Sequence, residues 1–303
     1  MTRLLVALSL VFGLIVLGYV LRRIRVPGDR FWPLAENATY YIFLPALLLV
    51  SLATADVEMG DAVPVFSVLV TATLAVTVLS HLLRPLLDVD GPGFGSVFQG
   101  AVRSNTYLGI AAAFAAYGEG GLPLAAIAIA ALIPLGNVLS VIVVTRCAPD
   151  RASNASATAA IVRNPIILAC AAGLVLNGLE LNLPAPLRTG LDALGRIALP
   201  LGLLVVGAGL RVRAALTAGA LTLASSALKL VAMPAITLAL CLVFSLAGPQ
   251  AVVAVLFAAL PSAGSSYVLA SRMGGNATLM ASILTVQTLL SFLVLPLLLL
   301  LMV

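Results

Sequence analysis

Long apolar runs separated by short polar connections set the pattern of this chain. The runs fall near residues 4–21, 33–53, 62–83, 94–116, 122–145, 159–178, 191–210, 220–246, 250–271 and 277–303. About 20 predominantly apolar residues let a helix cross a bilayer. Ten such helices take about 200 residues and leave roughly ten for each connection. That leaves no room for a separate soluble domain. The predicted class is an all-α polytopic membrane protein of ten transmembrane helices, a single transmembrane unit over residues 1–303. Leu4 to Leu21 is followed by Arg22-Arg23 with no small-residue cleavage site, so the first run reads as a retained helix rather than a signal peptide.

The runs repeat. Ile42-Phe43-Leu44-Pro45-Ala46-Leu47-Leu48-Leu49-Val50 aligns with Ile197-Ala198-Leu199-Pro200-Leu201-Gly202-Leu203-Leu204-Val205, with six of nine positions identical at an offset of 155. The shared prolines Pro45 and Pro200 are the informative part, because each frees a backbone carbonyl and bends its helix. The fourth and ninth runs are both interrupted. One contains Arg103-Ser104-Asn105-Thr106 with Gly109 beyond, the other Pro261-Ser262-Ala263-Gly264-Ser265-Ser266, and Tyr107 and Tyr267 follow. Residues 1–151 and 152–303 thus form two sets of five. Five is odd, so the second set enters the membrane inverted. Paired Gly- or Pro-interrupted segments at corresponding positions point to a transporter's binding site.

Composition agrees. Apolar residues are 62% of the chain and charged residues 9%, with a mean hydropathy of +1.19. A soluble globule of this composition would expose mostly apolar surface. The net charge of +5 reads as topology-setting arginine rather than as a nucleic-acid surface. Loops after the odd-numbered spans hold Arg22, Arg23, Arg25, Arg30, Arg84, Arg146, Arg151, Arg163, Arg211, Arg213 and Arg272, eleven in all, against three (Arg3, Arg188, Arg196) on the other face. The odd loops should be cytoplasmic and both termini outside, with Asp56, Glu58 and Asp61 external. Cys147, Cys170 and Cys241 are too scattered for a disulfide framework, and the lone His81 has no metal-ligand company.

Arg103 and Lys229 are the two basic residues inside spans. A charge there is costly unless paired or hydrated, so each is a candidate for substrate contact, against a structural role toward freed carbonyls. Asn105 offers two donors and an acceptor beside a helix break. Thr106, Ser265 and Ser266 flank the breaks, and Asn137, Ser140, Gln287 and Thr288 are polar groups near mid-membrane. Of these, Asn105, Arg103, Thr106, Asn137, Ser265, Ser266 and Lys229 form the candidate substrate site. Pro261, Gly264, Gly109, Pro45 and Pro200 are the candidate helix breaks. Glu36 reads as an interface residue near Trp32, and Gly207 and Gly209 as close-packing positions. No nucleophile–base pair, paired intramembrane carboxylate, phosphate loop or metal cluster appears, so no catalysis is expected. Both deep charges are positive, and half-helix N-termini add partial positive charge. The site should favour an anion.

These motifs in this order resemble the auxin efflux carrier family, which includes bacterial malate and malonate permease-like members and the plant PIN proteins. The resemblance rests on Tyr41-Ile-Phe-Leu-Pro45, Arg103-Ser-Asn-Thr-Tyr-Leu-Gly109, Asn164-Pro165, Leu199-Pro200 with Gly207-Ala-Gly-Leu210, Lys229 with Pro234, and Leu260-Pro-Ser-Ala-Gly-Ser-Ser-Tyr267. It implies a fold similar to that of the bile-acid symporters, with inverted repeats, crossed broken helices, a scaffold and a moving transport domain, and carriage of a small organic anion. It also implies that Asn105 and Asn137 line the site. Family members commonly carry a proline soon after the glycine of the fourth span. Ile110-Ala111-Ala112-Ala113 stands here instead, which predicts a milder break. The short loop 146–158 favours a bacterial-type permease of the inner membrane. The reading is a secondary carrier for a mono- or dicarboxylate, with no cofactor and with protons or sodium as candidate coupling ions. Its partners are the organic anion and the lipid bilayer, with a homodimer left open and no nucleic acid. Two alternatives stand beside it: a sodium-coupled bile-acid-type symporter and a non-transporting membrane receptor.

Overall fold

A computed structural model describes residues 2–54, 59–148, 165–212 and 219–302. The boundary between the two predicted repeats lies outside them, as do Asp56, Glu58, Arg151, Arg163, Asn164 and Arg213. The described residues form helices and turns, with no strand among them. In chain order the helices are α1 (Thr2–Arg23), α2 (Phe31–Ala38), α3 (Leu44–Ala53), α4 (Met59–Leu83), α5 (Gly91–Val102), α6 (Thr106–Tyr117), α7 (Gly121–Cys147), α8 (Pro165–Gly178), α9 (Ala185–Ala208), α10 (Ala220–Ala227), α11 (Met233–Val243), α12 (Gly248–Ala258), α13 (Ser265–Arg272) and α14 (Ala277–Met302).

Six helical stretches among the described residues are long and apolar enough to cross a membrane. Such a chain must satisfy its backbone polar groups internally, and continuous helices do so. Their outer faces carry exposed Leu82, Leu242, Val243 and Leu301, as suits a lipid-facing surface. The chain is therefore a multi-pass membrane protein.

Two spans contain a single wide turn instead of a break. A π turn at Thr39–Phe43 joins α2 to α3, and another at Leu228–Ala232 joins α10 to α11. Each ends just before a proline, Pro45 or Pro234. The extra residue changes the carbonyl pattern where the proline ring would otherwise crowd the turn before it. Pro45 is thus no break, because helix runs from Phe31 to Ala53. Nor is Pro200, which lies inside the uninterrupted α9. Losing one hydrogen bond there does not end a helix that its neighbours hold.

The helices pack as two groups. In one, α1 lies along α9, and α3 along α8 and α9. Its closest approach is backbone on backbone: a Cβ on Gly18 would strike the Leu204 carbonyl, and one on Gly207 the Ile15 carbonyl. Gly207 is a packing glycine as expected. A Cβ on Gly209 would meet only Val206 and Val205 carbonyls one helical turn before it, the nearer at 3.4 Å. In the other group α7 packs on α4, α5 and α6, while α10 and α14 pack on α5. The groups meet where Tyr107 lies against Gly202 and where Phe12 stacks on Phe292 at 4.1 Å between centroids.

Candidate functional site

Both interruptions expected from the sequence are present. α5 stops at Val102 and α6 starts at Thr106; α12 stops at Ala258 and α13 starts at Ser265. Arg103 (φ −84, ψ 150) and Asn105 (φ −78, ψ 100) are extended. The first break is complete, although no proline follows Gly109. Asn105 is the reason: its side-chain oxygen accepts the Leu108 N–H at 3.3 Å and caps α6. Its own N–H is then free of the helix and donates to the carbonyl of Pro261 at 2.8 Å. Pro261 has no N–H to continue a helix, and its carbonyl faces the other break. The two interruptions therefore meet main chain to main chain.

Gly109 is not at the break. It lies on the fourth residue of α6, where an added Cβ would come within 2.6 Å of a Leu260 methyl carbon and 2.8 Å of the Phe257 ring. The missing side chain lets α6 approach the end of α12. Gly264 does sit at a break, as the residue before α13.

Carbonyls in the last turns of α5 take side-chain donors from other spans, Gln99 O in addition to the helical bond it accepts from Arg103 N–H at 3.0 Å. Ser225 Oγ donates to Val97 O at 2.9 Å, and Ser262 Oγ to Gln99 O at 3.4 Å. Gln287 Nε2 donates to Gly100 O at 3.1 Å and to Ser225 O at 3.4 Å, while its Oε1 accepts the Ser262 N–H at 2.8 Å. That pattern uses the donor and acceptor ends of one fully buried amide to tie α5, α10 and the second break together.

Both deep cations reach this crossing. Arg103 Nη2 donates to Ser265 Oγ at 2.9 Å, and its Nη1 is sealed from solvent without a hydrogen-bond partner. Lys229, 0% exposed and on the second π turn, donates from Nζ to Ser104 Oγ at 2.8 Å and lies 3.2 Å from Met233 Sδ. Its partners are a hydroxyl and a sulfur, not the freed carbonyls near Pro234. Among the described residues the ion pairs are Arg22–Asp29 and Arg188–Asp192, and neither involves these two cations. Glu36, half-buried on α2, has Tyr107 as an electrostatic neighbour, whereas that of Arg103 is Tyr40. Two basic groups thus reach the crossing, Arg103 at the Ser265 hydroxyl and Lys229 at the Ser104 hydroxyl and the Met233 sulfur. The N-terminus of α6 at Thr106 adds fixed donors there, whereas the Ser266 and Tyr267 N–H groups of α13 already bond the Ala263 and Gly264 carbonyls.

The predicted residues divide. Arg103, Asn105, Lys229, Ser265 and Pro261 are brought together, with Thr106 opening α6. Ser266 is buried and shares a 3.1 Å hydrogen bond with Ser262, facing inward rather than toward the exposed Ser265 and Gly264. Asn137 is half-buried on α7, next to Gly136, where an added Cβ would lie 3.4 Å from Val102 O. It adjoins the break without a hydrogen bond to it. Gln99 and Ser140 are fully buried with unpartnered side-chain polar atoms. Gln99, Ser225 and Ser262 were not legible as site residues. Gln99 alone left a trace, as a polar residue four before Arg103 in an apolar run. No cluster of three or more His, Cys, Asp or Glu among the described residues is placed to hold a metal ion.

Residues 148–299 match the family described as membrane transport protein. No curated relative matches the chain.

Proposed function

The chain belongs to that membrane transport protein family, the auxin efflux carrier family, and from this premise we propose that it is a secondary active carrier of a small organic anion, a mono- or dicarboxylate, working by alternating access. The observation that carries this reading is the crossing of the two interrupted helices. There Asn105 N–H meets Pro261 O at 2.8 Å, and Arg103 and Lys229 converge with no described carboxylate to pair them. A carboxylate bound there would receive a guanidinium, a lysine amine and main-chain donors at a partly exposed crossing.

The reading includes an inverted repeat of five helices and five, supported by the matching segments 42–50 and 197–205 and by the two interruptions that meet at the Asn105–Pro261 bond. The group built around α5, α6, α12 and α13 is the moving unit, and the group of α1, α2, α3, α8 and α9 is the frame. The arginine asymmetry supports an inner-membrane orientation with both termini outside.

The test uses purified protein against a panel of mono- and dicarboxylates. A ligand should raise the melting temperature, and protein reconstituted into vesicles should take up the same acid saturably. Arg103→Gln should remove both effects while the protein stays folded. Binding without uptake would replace the carrier by a receptor. Loss of uptake when sodium is exchanged for choline would favour the bile-acid-type symporter.

A further inference from the structure

We propose that this carrier is an anion exchanger: its substrate-binding unit crosses rapidly only with an anion bound, so that transport of one anion requires the return of another. The inference rests on the carrier reading above and on the fixed charge of the crossing.

Arginine keeps its proton throughout the physiological range. Arg103 therefore carries a charge that the empty site cannot discharge. Its Nη2 is met by the neutral Ser265 hydroxyl and its Nη1 by nothing. Lys229 brings a second basic group to the adjacent residue, Ser104. No described carboxylate pairs with either.

These groups are built into one packed unit. The Asn105–Pro261 bond joins the breaks, and Gln287 ties the second break to α5 and α10. Ser96 Oγ and the Pro92 carbonyl hold Asn276, at the start of α14, to the first turns of α5. The cations must travel with that unit.

Moving an uncompensated charge through a low-dielectric region is strongly disfavoured. A bound carboxylate cancels it, and a dicarboxylate cancels both positive groups. The loaded unit then crosses nearly neutral, while the empty unit crosses as a cation. Return of the empty unit is the slow limb, and a second anion on the far side bypasses it. Exchange of two like-charged anions moves no net charge, whereas one-way transport does. A full unit charge crossing 100 mV changes a rate ratio by about fifty-fold, so part of that dependence should appear in one-way transport alone.

The experiment uses the full chain in proteoliposomes with labelled malate and labelled pyruvate as probes. Uptake is measured into vesicles preloaded with the same unlabelled acid and into unloaded vesicles, at zero potential and at about 100 mV. Preloading should accelerate uptake tenfold or more. Unloaded uptake should change severalfold with potential while exchange stays level. Lys229→Met should narrow the gap between the two modes for malate, because less charge returns on the empty unit; a purely structural lysine would slow both modes alike. Equal rates with and without internal acid, insensitive to potential, would overturn the exchanger. Uptake of neither probe by folded protein would remove the carrier reading itself, and the exchanger with it.

Discussion

The backbone N–H of Asn105 donates to the backbone carbonyl of Pro261 at 2.8 Å, joining two helices by their interruptions. Apart from proline at position 105, no side-chain replacement deletes that bond directly. Its geometry depends on how closely α6 approaches the end of α12, which Gly109 permits. Gly109→Val puts branched carbon where Phe257 and Leu260 already lie. The protein should lose about 1–3 kcal/mol, as overpacked cores do, and the ligand-induced rise in melting temperature should vanish. An unchanged melting curve with an unchanged ligand shift would show that the crossing tolerates separation.

Asn105 has two duties that can be parted. Its side chain caps α6, so Asn105→Ala should lower stability without ligand by about 1 kcal/mol. Asn105→Ser restores a capping oxygen without the amide. It should recover the unliganded melting temperature and still lack the ligand-induced rise. Recovery of both would confine Asn105 to capping.

Gln287 is the clamp of the crossing. Gln287→Leu leaves the Ser262 N–H and the Gly100 and Ser225 carbonyls without that partner. Each buried group left unpaired costs about 1–3 kcal/mol. Gln287→Glu keeps the acceptor for Ser262 and loses the donor, and its melting temperature should fall between the other two. Equal stability of all three would mean that water replaces the amide.

Much of this was legible in the sequence because some residues act locally. Pro261 removes a helical donor three residues before Gly264, and Asn105 ahead of an apolar run offers an oxygen to the local backbone, so both interruptions could be placed without coordinates. Gln287 is different. Its partners Ser262, Ser225 and Gly100 lie 25, 62 and 187 residues away, and no local pattern names them. The prolines misled in the other direction. Pro45 and Pro200 mark repeated sequence, but whether a proline breaks a helix depends on its neighbours, and both stay within helical spans. Gly109 read as part of a break because glycine loosens backbone. Its use here is absence of volume, which only the facing Phe257 and Leu260 reveal.

Lys229→Met separates stability from function. Methionine matches the length of the lysine stem and removes a buried charge whose partners are a hydroxyl and a sulfur. The variant should melt at the wild-type temperature or above it, while malate exchange falls relative to uptake into unloaded vesicles. A lower melting temperature would mean that the Ser104 contact outweighs the desolvation of the ammonium.

Orientation is open to labelling. In a variant lacking Cys147, Cys170 and Cys241, single cysteines at the exposed Arg30 and Asn182 should behave oppositely. An impermeant maleimide applied to intact cells should label the Asn182 position and not the Arg30 position. The reverse result would invert the topology drawn from the arginines.

The glycine contacts between α1 and α9 have a mechanical meaning. Gly18 rests on the Leu204 carbonyl and Gly207 on the Ile15 carbonyl, so backbone touches backbone at two levels of one seam. Side chains between helices act as springs, because they change rotamer and let spacing vary. Here there is none to change, and hard repulsion fixes the spacing. The pair behaves as a stiff rail. A change in bilayer thickness, which a pliant helix pair would absorb by bending, should instead tilt this pair as one body, and with it the surface on which Tyr107 and Phe292 bear.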